Sequence, residues 1–209
     1  MQGRVGRRAS TMEVTVMDRS DRVLRVVTSN EGKAREFAAA LQGVPWRVER
    51  VAMEYEEVQA DTLDEVAMAS ARWLMGRRAV QPPFVLEDAG LFVDALGGYP
   101  GVYSAYVFST VGTDGILRLM EGREDRSARF ESRLALVLTD GTVQLFEGTC
   151  HGTVPQEARG AGGFGFDPVF VPQGETRTFA EMDLGEKEAH SHRGRALARL
   201  RDGLAGFGL

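Results

Sequence analysis

The chain has 209 residues, 43% hydrophobic and 26% charged, the balance of a globular protein with a sizeable core rather than a disordered tail. Apolar runs such as 134–138 are far too short to span a bilayer. The single cysteine, Cys150, excludes an intrachain disulfide scaffold and a multi-cysteine zinc site, and it fits a reducing compartment, taken here as the cytoplasm. A net charge of −5 argues against a broad electrostatic grip on nucleic acid, so a bound anion needs locally concentrated positive charge or a metal.

Residues 1–21 are polar and arginine-rich at the start, with no sustained period and no apolar signal-peptide core. They read as an N-terminal extension, and a true start at Met12 or Met17 is favoured over a transit peptide. Residues 23–28 read as a strand and 29–32 as a turn, and the apolar positions 34, 37, 38 and 41 have helical spacing. Residues 46–53 alternate like a strand. Thr62, three residues before Glu65, makes a capping box for a helix running to about Arg77. Pro82-Pro83 stops any continuation, 84–87 is a short buried strand, and the glycine-rich 90–101 is in part loop. A helix over 114–120 follows. Next come a long strand over 128–138, a hairpin signal at Asp140-Gly141 and a return strand over 143–154. Residues 160–167 form a loop, and Ser191 caps a last helix reaching about Gly203. With no repeat and no linker, the interleaved elements predict an α/β fold, a mixed sheet flanked by helices.

Of 25 basic residues only Lys33 and Lys187 are lysines. A lysine kept against such an arginine bias marks a place where a compact ammonium is needed and a planar fork will not serve. Both lysines lie in segments that carry chemistry. In Thr28-Ser29-Asn30-Glu31-Gly32-Lys33, the free N–H groups at a helix start and the Lys33 charge suit a phosphate. It is not a P-loop, because Val27 and Ala34 replace the required glycine and hydroxyl, and an ordinary turn with Asn30 as N-cap is the alternative. The second segment opens Glu87-Asp88-Ala89-Gly90. Strand neighbours face opposite sides, so only one of these two carboxylates should enter a given site, with a metal partner from the acidic run 54–57. The third joins Phe164-Gly165-Phe166-Asp167 to Lys187 and to Ser191-His192-Arg193. There Phe164 or Phe166 can stack on a base, Asp167 can accept from a ring N–H, and His192 and Arg193 can donate to a ring carbonyl. Core phenylalanines beside a capped helix are the plainer reading of that segment.

The runs T-S-N-x-G-K-x-x-E, E-D-A-G-L-x-V-x-A-L-G-G-x-P-G-V-Y-S, G-F-G-F-D-P-V-F-x-P and T-F-A-E-M-x-x-x-E-K-x-x-x-S-H-R-G-x-A-L occur in that order. Together, over about 23–200, they closely resemble the inosine triphosphate pyrophosphatase family, also called the Ham1 or non-canonical purine nucleoside triphosphate pyrophosphatases. The resemblance implies a long twisted mixed sheet with a central cleft between two lobes, formed by 22–209 as one domain and usually paired in a homodimer. It also implies Mg²⁺-dependent hydrolysis of ITP, dITP and XTP to the monophosphate and pyrophosphate. By position, Thr28 to Lys33 wrap the phosphates, Ala89 adds backbone beside them, Glu57 and Asp88 serve the metal, and Asp88 is the candidate base. Phe164, Gly165, Phe166, Asp167, Lys187, His192 and Arg193 enclose the nucleotide, largely at the base. Ala89 stands where many members have serine, Ser70 where one branch has a lysine, and Glu188 where a small polar residue is common, so neutralisation of the phosphates is expected to lean on Lys33, Lys187 and Mg²⁺. A non-catalytic nucleotide-binding module, and a pyrophosphatase for other modified nucleotides, are the competing readings.

Overall fold

In the computed structural model, which describes residues 22–56 and 58–206, six strands form one sheet in the order β2-β1-β3-β4-β5-β6. The extension expected over 1–21 lies outside the described residues. Strand β1 (Val23–Val27) pairs in parallel with β2 (Arg47–Val51) and β3 (Phe84–Val93). β3, β4 (Ser127–Val137), β5 (Val143–Thr153) and the short β6 (Val171–Pro172) continue antiparallel, so the sheet is mixed as expected. Asp140-Gly141 turns the β4–β5 hairpin, with Gly141 at φ 84° and Asp140 Oδ1 accepting from the Thr142 N–H at 2.8 Å.

Five helices flank the sheet: α1 (Glu31–Ala40), α2 (Leu63–Gly76), α3 (Ser104–Leu119), α4 (Leu184–His190) and α5 (His192–Gly206). The capping box at α2 forms as read, with Thr62 Oγ1 accepting from the Glu65 N–H and Glu65 reaching back to the Thr62 N–H. Strand periodicity then sorts the core. Phe84, Leu86, Ala135 and Val137 pack with α2 residues Ala67, Ala71 and Leu74. Val85, Leu134 and Leu136 face the other way, onto Phe37 of α1 and Leu197 and Leu200 of α5. By the same alternation Glu87 falls on the α1/α5 side and Asp88 opposite. Beyond these layers β3–β5 run on into a third cluster, where Leu91 and Phe130 meet Val107 and Ile116 of α3 and Phe166, Phe170 and Phe179 of the 164–182 segment.

α1 begins at Glu31, inside the expected turn, α4 and β6 have no counterpart among the expected elements, and two further boundaries differ widely. β3 does not stop at 87 but continues to Val93, through Asp88-Ala89-Gly90, residues of poor strand propensity that pairing with β4 overrides. Gly90 is needed there: a Cβ would lie 2.3 Å from the Gly101 carbonyl oxygen. Ser104 Oγ closes the same junction, accepting from the Leu91 N–H at 2.8 Å and donating to the Gly101 carbonyl at 2.7 Å. α3 spans Ser104–Leu119 instead of 114–120. Its first half carries exposed Tyr106, Phe108 and Val111, which blur the apolar period, and Gly112 at φ 63°, ψ −163° breaks the helix. No helix among the described residues is long and apolar enough to cross a membrane.

Candidate active site

The turn from β1 into α1 is held from three sides. Asn30 is the N-cap, its Oδ1 accepting from the Lys33 N–H at 3.0 Å, while Thr28 Oγ1 accepts from the Asn30 N–H at 3.2 Å. Arg50 of β2 donates to the Thr28 and Ser29 carbonyls at 3.2 and 2.9 Å and pairs with Glu31 at 2.6 Å. These contacts fix the helix start while Thr28, Ser29, Asn30 and Lys33 line a cavity of about 340 Å³ with Glu54, Tyr55 and Glu87. The positive end of the helix dipole favours an anion beside such a start.

Behind this wall six buried or half-buried charges alternate in sign. Lys33 Nζ donates to the Glu87 carbonyl at 3.2 Å and lies 3.4 Å from its carboxylate. That carboxylate accepts from Arg193 Nε at 2.8 Å on both oxygens and from Ser132 Oγ at 2.7 Å. Arg193 Nη1 reaches Glu36 at 2.5 Å, Glu36 pairs with Lys187 at 2.7 Å, and Lys187 reaches Asp167 at 2.6 Å. Asp167 Oδ2 also accepts from the Phe164 N–H at 2.7 Å. The chain Lys33–Glu87–Arg193–Glu36–Lys187–Asp167 therefore ties α1, β3, α4, α5 and the 164–167 loop together.

The protonation states follow from this geometry. Burial alone would raise the Glu87 carboxyl, but the charges of Arg193 and Lys33 and the hydrogen bonds of Arg193 and Ser132 outweigh it and hold it well below the usual carboxylate range. Glu36 is lowered the same way, burial being offset by Arg193 and Lys187. At Asp167 burial wins over Lys187, and its carboxyl lies above the usual value. Burial, with Arg193 next and Lys187 and Lys33 behind it, pushes His192 well below the ordinary histidine value despite Glu87, so the ring is neutral at pH 7.

A second cavity of about 340 Å³ adjoins the first, sharing Asn30 and Lys33. Its walls include Asp88, Phe108, Phe130, Phe164, Phe166 and His192. His192 stacks on Phe130, centroids 4.6 Å apart and planes 10° apart. Phe164 covers the buried cations, with Lys187 Nζ 4.5 Å and the Arg193 guanidinium 5.2 Å from its ring centre. Gly32 makes room for that ring: a Cβ there would sit 2.3 Å from Phe164 Cδ1. Asp88 Oδ1 accepts from the Ala89 N–H at 3.1 Å. The arrangement is one polar chamber at a helix N-terminus and one aromatic chamber, with Lys33 between them and a carboxylate in the aromatic wall.

A sequence model of the Ham1 family matches residues 24–203. The chain belongs to the Ham1 family. It is 51% identical over 174 residues, 83% of this chain and 92% of the other, to the dITP/XTP pyrophosphatase of Thermococcus kodakarensis. It is 47% identical over 171 residues, 82% of this chain and 90% of the other, to that of Pyrococcus horikoshii. Among solved structures, a Ham1 protein from Coxiella burnetii superimposes with a TM-score of 0.77 at 28% identity, covering 88% of this chain and 99% of that one.

In this Ham1 chain most of the residues singled out from sequence converge on the two chambers. Glu87 borders the polar one, with its carboxylate buried against Arg193 and Ser132, and Asp88 lines the aromatic one. Glu31 faces out to Arg50 and lines neither chamber. Lys187 sits behind Phe164, spent on Glu36 and Asp167, rather than in the polar chamber. Arg193 Nε and Nη1 are likewise committed to Glu87 and Glu36, leaving Nη2 without a hydrogen bond among the described residues. The predicted metal residue Glu57 lies outside the described residues. Sequence reasoning gave no role to Glu36, although it closes the T-S-N-x-G-K-x-x-E run, and it missed Phe108, Phe130 and Ser132. Glu36 carried a signal: it stands one helical turn after Lys33, on the same face. Phe108, Phe130 and Ser132 carried none: Phe108 falls in a stretch with no expected element, and Phe130 and Ser132 read as part of an ordinary strand.

Proposed function

We propose that this chain hydrolyses non-canonical purine nucleoside triphosphates, ITP, dITP and XTP, to the monophosphate and pyrophosphate, with Mg²⁺ as cofactor. The observation that carries the reading is the pair of adjoining chambers, polar and aromatic, sharing Asn30 and Lys33: one suits the phosphates and the other the base. Support comes also from the relatives whose names specify dITP/XTP pyrophosphatase.

The donor set suits a hard divalent cation. The six-membered ion chain contains three cations and three carboxylates, so in formal charge it cancels. It offers nothing net to a triphosphate carrying about four negative charges. Among the described residues no group of three or more His, Cys, Asp or Glu is arranged to hold a metal. Mg²⁺ does not need one, because it takes one or two carboxylates and completes its shell with phosphate oxygens and water. Asp88 would supply one carboxylate and Glu57 the other. Bound there, Mg²⁺ would neutralise phosphate charge and lower the pKa of water.

In this reading Thr28, Ser29 and Asn30 at the start of α1 and the Lys33 ammonium grip the phosphates. Asp88 takes the proton from the water that attacks the α-phosphorus, and pyrophosphate leaves toward the polar chamber. Phe164 and Phe166 shape the base site. The neutral imidazole of His192 and Nη2 of Arg193 are the donors left to meet a 6-carbonyl. A 6-amino group would leave such a donor unpaired, at about 1–3 kcal/mol each. We also place the chain in the cytoplasm as a homodimer, with 22–209 as one two-lobed unit after the extension, as the resemblance implies.

The test is pyrophosphate release from ITP, XTP, dITP, GTP, ATP and dTTP, with and without Mg²⁺. Release confined to the first three and dependent on the metal is expected, and no release from any of them rejects the reading. Tight ITP binding without turnover would instead make the chain a nucleotide-binding module. ¹⁸O from labelled water should appear in the monophosphate, and label in pyrophosphate would mean attack on the wrong phosphorus.

A further inference from the structure

Four phenylalanines line the aromatic chamber, and three have little ring surface to offer. Phe166 is 3% exposed, with its neighbours in the core. Phe130 is buried, with one face covered by the stacked His192 and Phe170 edge-on at 4.8 Å. Phe164 is half-buried and gives ring surface to Lys187 and Arg193. Phe108, from the first half of α3, is different: it lines the same chamber yet is 42% exposed. Its ring is placed all the same, since it meets Phe166 edge-to-face with centroids 5.4 Å apart and planes at 84°. Val107 beside it is buried in the core and Ser104 is pinned to Leu91 and Gly101, so the helical turn leading into Phe108 is anchored at two points.

A large apolar ring held in position but left open at the mouth of a cavity is surface waiting for a partner. Resting on the reading of this chamber as the base site, we propose that Phe108 is a substrate-positioning residue that supplies the open aromatic wall for the purine base. Phe166 acts through it, by fixing its ring. Stacking is tolerant of ring substituents, because every purine offers the same π-face. Phe108 therefore sets affinity for the nucleoside end of the substrate and leaves the choice between 6-oxo and 6-amino purines to the polar donors.

The experiment compares wild type with Phe108→Ala, Phe108→Leu and Phe108→Tyr, using IMP and inorganic pyrophosphate as calorimetric probes and ITP, XTP and ATP as substrates. Loss of one stacking contact should weaken IMP about tenfold in the Ala and Leu variants. Pyrophosphate affinity should stay within about twofold, and Phe108→Tyr should match wild type. KM for ITP and XTP should rise together by the same factor as IMP weakens, with kcat and the ITP-to-ATP preference unchanged. Unaltered IMP binding in the Ala and Leu variants overturns the proposal, and so does an equal loss of IMP and pyrophosphate affinity, which would mean a general loosening of the cleft. If those variants behave like wild type while wild type still cleaves ITP, only the role of Phe108 fails. If wild type neither binds IMP nor cleaves ITP, the base-site reading fails and takes this role with it.

Discussion

Glu87→Gln is the sharpest test of the buried ion chain. The side chain is 1% exposed, and its two oxygens accept Arg193 Nε at 2.8 Å each and Ser132 Oγ at 2.7 Å, with Lys33 at 3.4 Å. Glutamine keeps the shape but removes the charge and turns one acceptor into a donor. Because Arg193 Nε lies equidistant from both oxygens, neither amide orientation avoids setting N–H against N–H. Ser132 can turn its hydroxyl; Arg193 cannot adapt. A buried cation that loses one of two counter-charges costs about 3–5 kcal/mol. For a domain of this size each kcal/mol moves Tm by about 2–4 °C, so Tm at pH 7.5 should fall by about 10 °C. The pH dependence has a definite sign. The Glu87 carboxyl is held below the usual range in the fold, so its contribution is complete above the unfolded value of about 4.3 and is lost as pH falls below that. The gap between wild type and Glu87→Gln, measured by thermal and urea unfolding, should be flat from about pH 8 to 5 and close below about pH 4. A Tm within about 2 °C of wild type at neutral pH, or a gap that widens in acid, refutes the argument.

Asp88→Asn should leave Tm within a few degrees but cut ITP turnover about 100-fold or more, and near-wild-type kcat would remove Asp88 from the chemistry. His192 is neutral in the fold, because burial first and then Arg193 push its pKa well down, whereas an unfolded histidine takes up a proton below about pH 6.5. Acidification from about pH 7.5 to 5.0 should therefore cost stability through this residue, and His192→Phe, which loses no Nδ1 hydrogen bond among the described residues, should abolish that part of the slope in urea titrations. In Gly32→Ala the new Cβ would press on Phe164 at 2.3 Å. The helix gains about 1 kcal/mol from alanine, so stability should hold while KM for ITP rises, and an unchanged KM would mean that Phe164 does not touch substrate.

What the sequence displayed depended on how local the signal was. The α2 capping box and the Asp140-Gly141 turn are written in adjacent residues and formed as read. The extent of β3 was hidden, because Asp88-Ala89-Gly90 is a poor strand by propensity and is held only by pairing with Ser132 and its neighbours, more than 40 residues away. The site showed the same division. Thr28 to Lys33 announce a helix start, but Glu36 gains its meaning from Arg193 and Lys187, brought to it by α5 and α4. The lysine bias worked differently. It is a statement about composition, independent of distance along the chain, and both lysines it marked stand in one ionic network.

That network explains why the lysines matter where an arginine surplus was available. Buried ion pairs are poor sources of stability, since desolvation offsets most of their attraction. Apolar residues of equal volume would hold α1, α4 and α5 together as well. They could not hold a charge at the seam of the two chambers while cancelling the field everywhere else. Arg193 occupies the centre of the chain, where a planar fork can reach Glu87 with Nε and Glu36 with Nη1. The two lysines occupy the arms: Lys187 fits its ammonium between Glu36 and Asp167 behind the Phe164 ring, and Lys33 turns its tip toward both chambers with one-fifth of its side chain exposed. Lys187 is enclosed by Glu36 and Asp167 and Arg193 keeps only Nη2, on the aromatic side, so Lys33 is the cation of the network that borders the polar chamber. On the proposed reading, a triphosphate brings more negative charge than Lys33 offsets, and a divalent ion would be the physical means of balancing the rest.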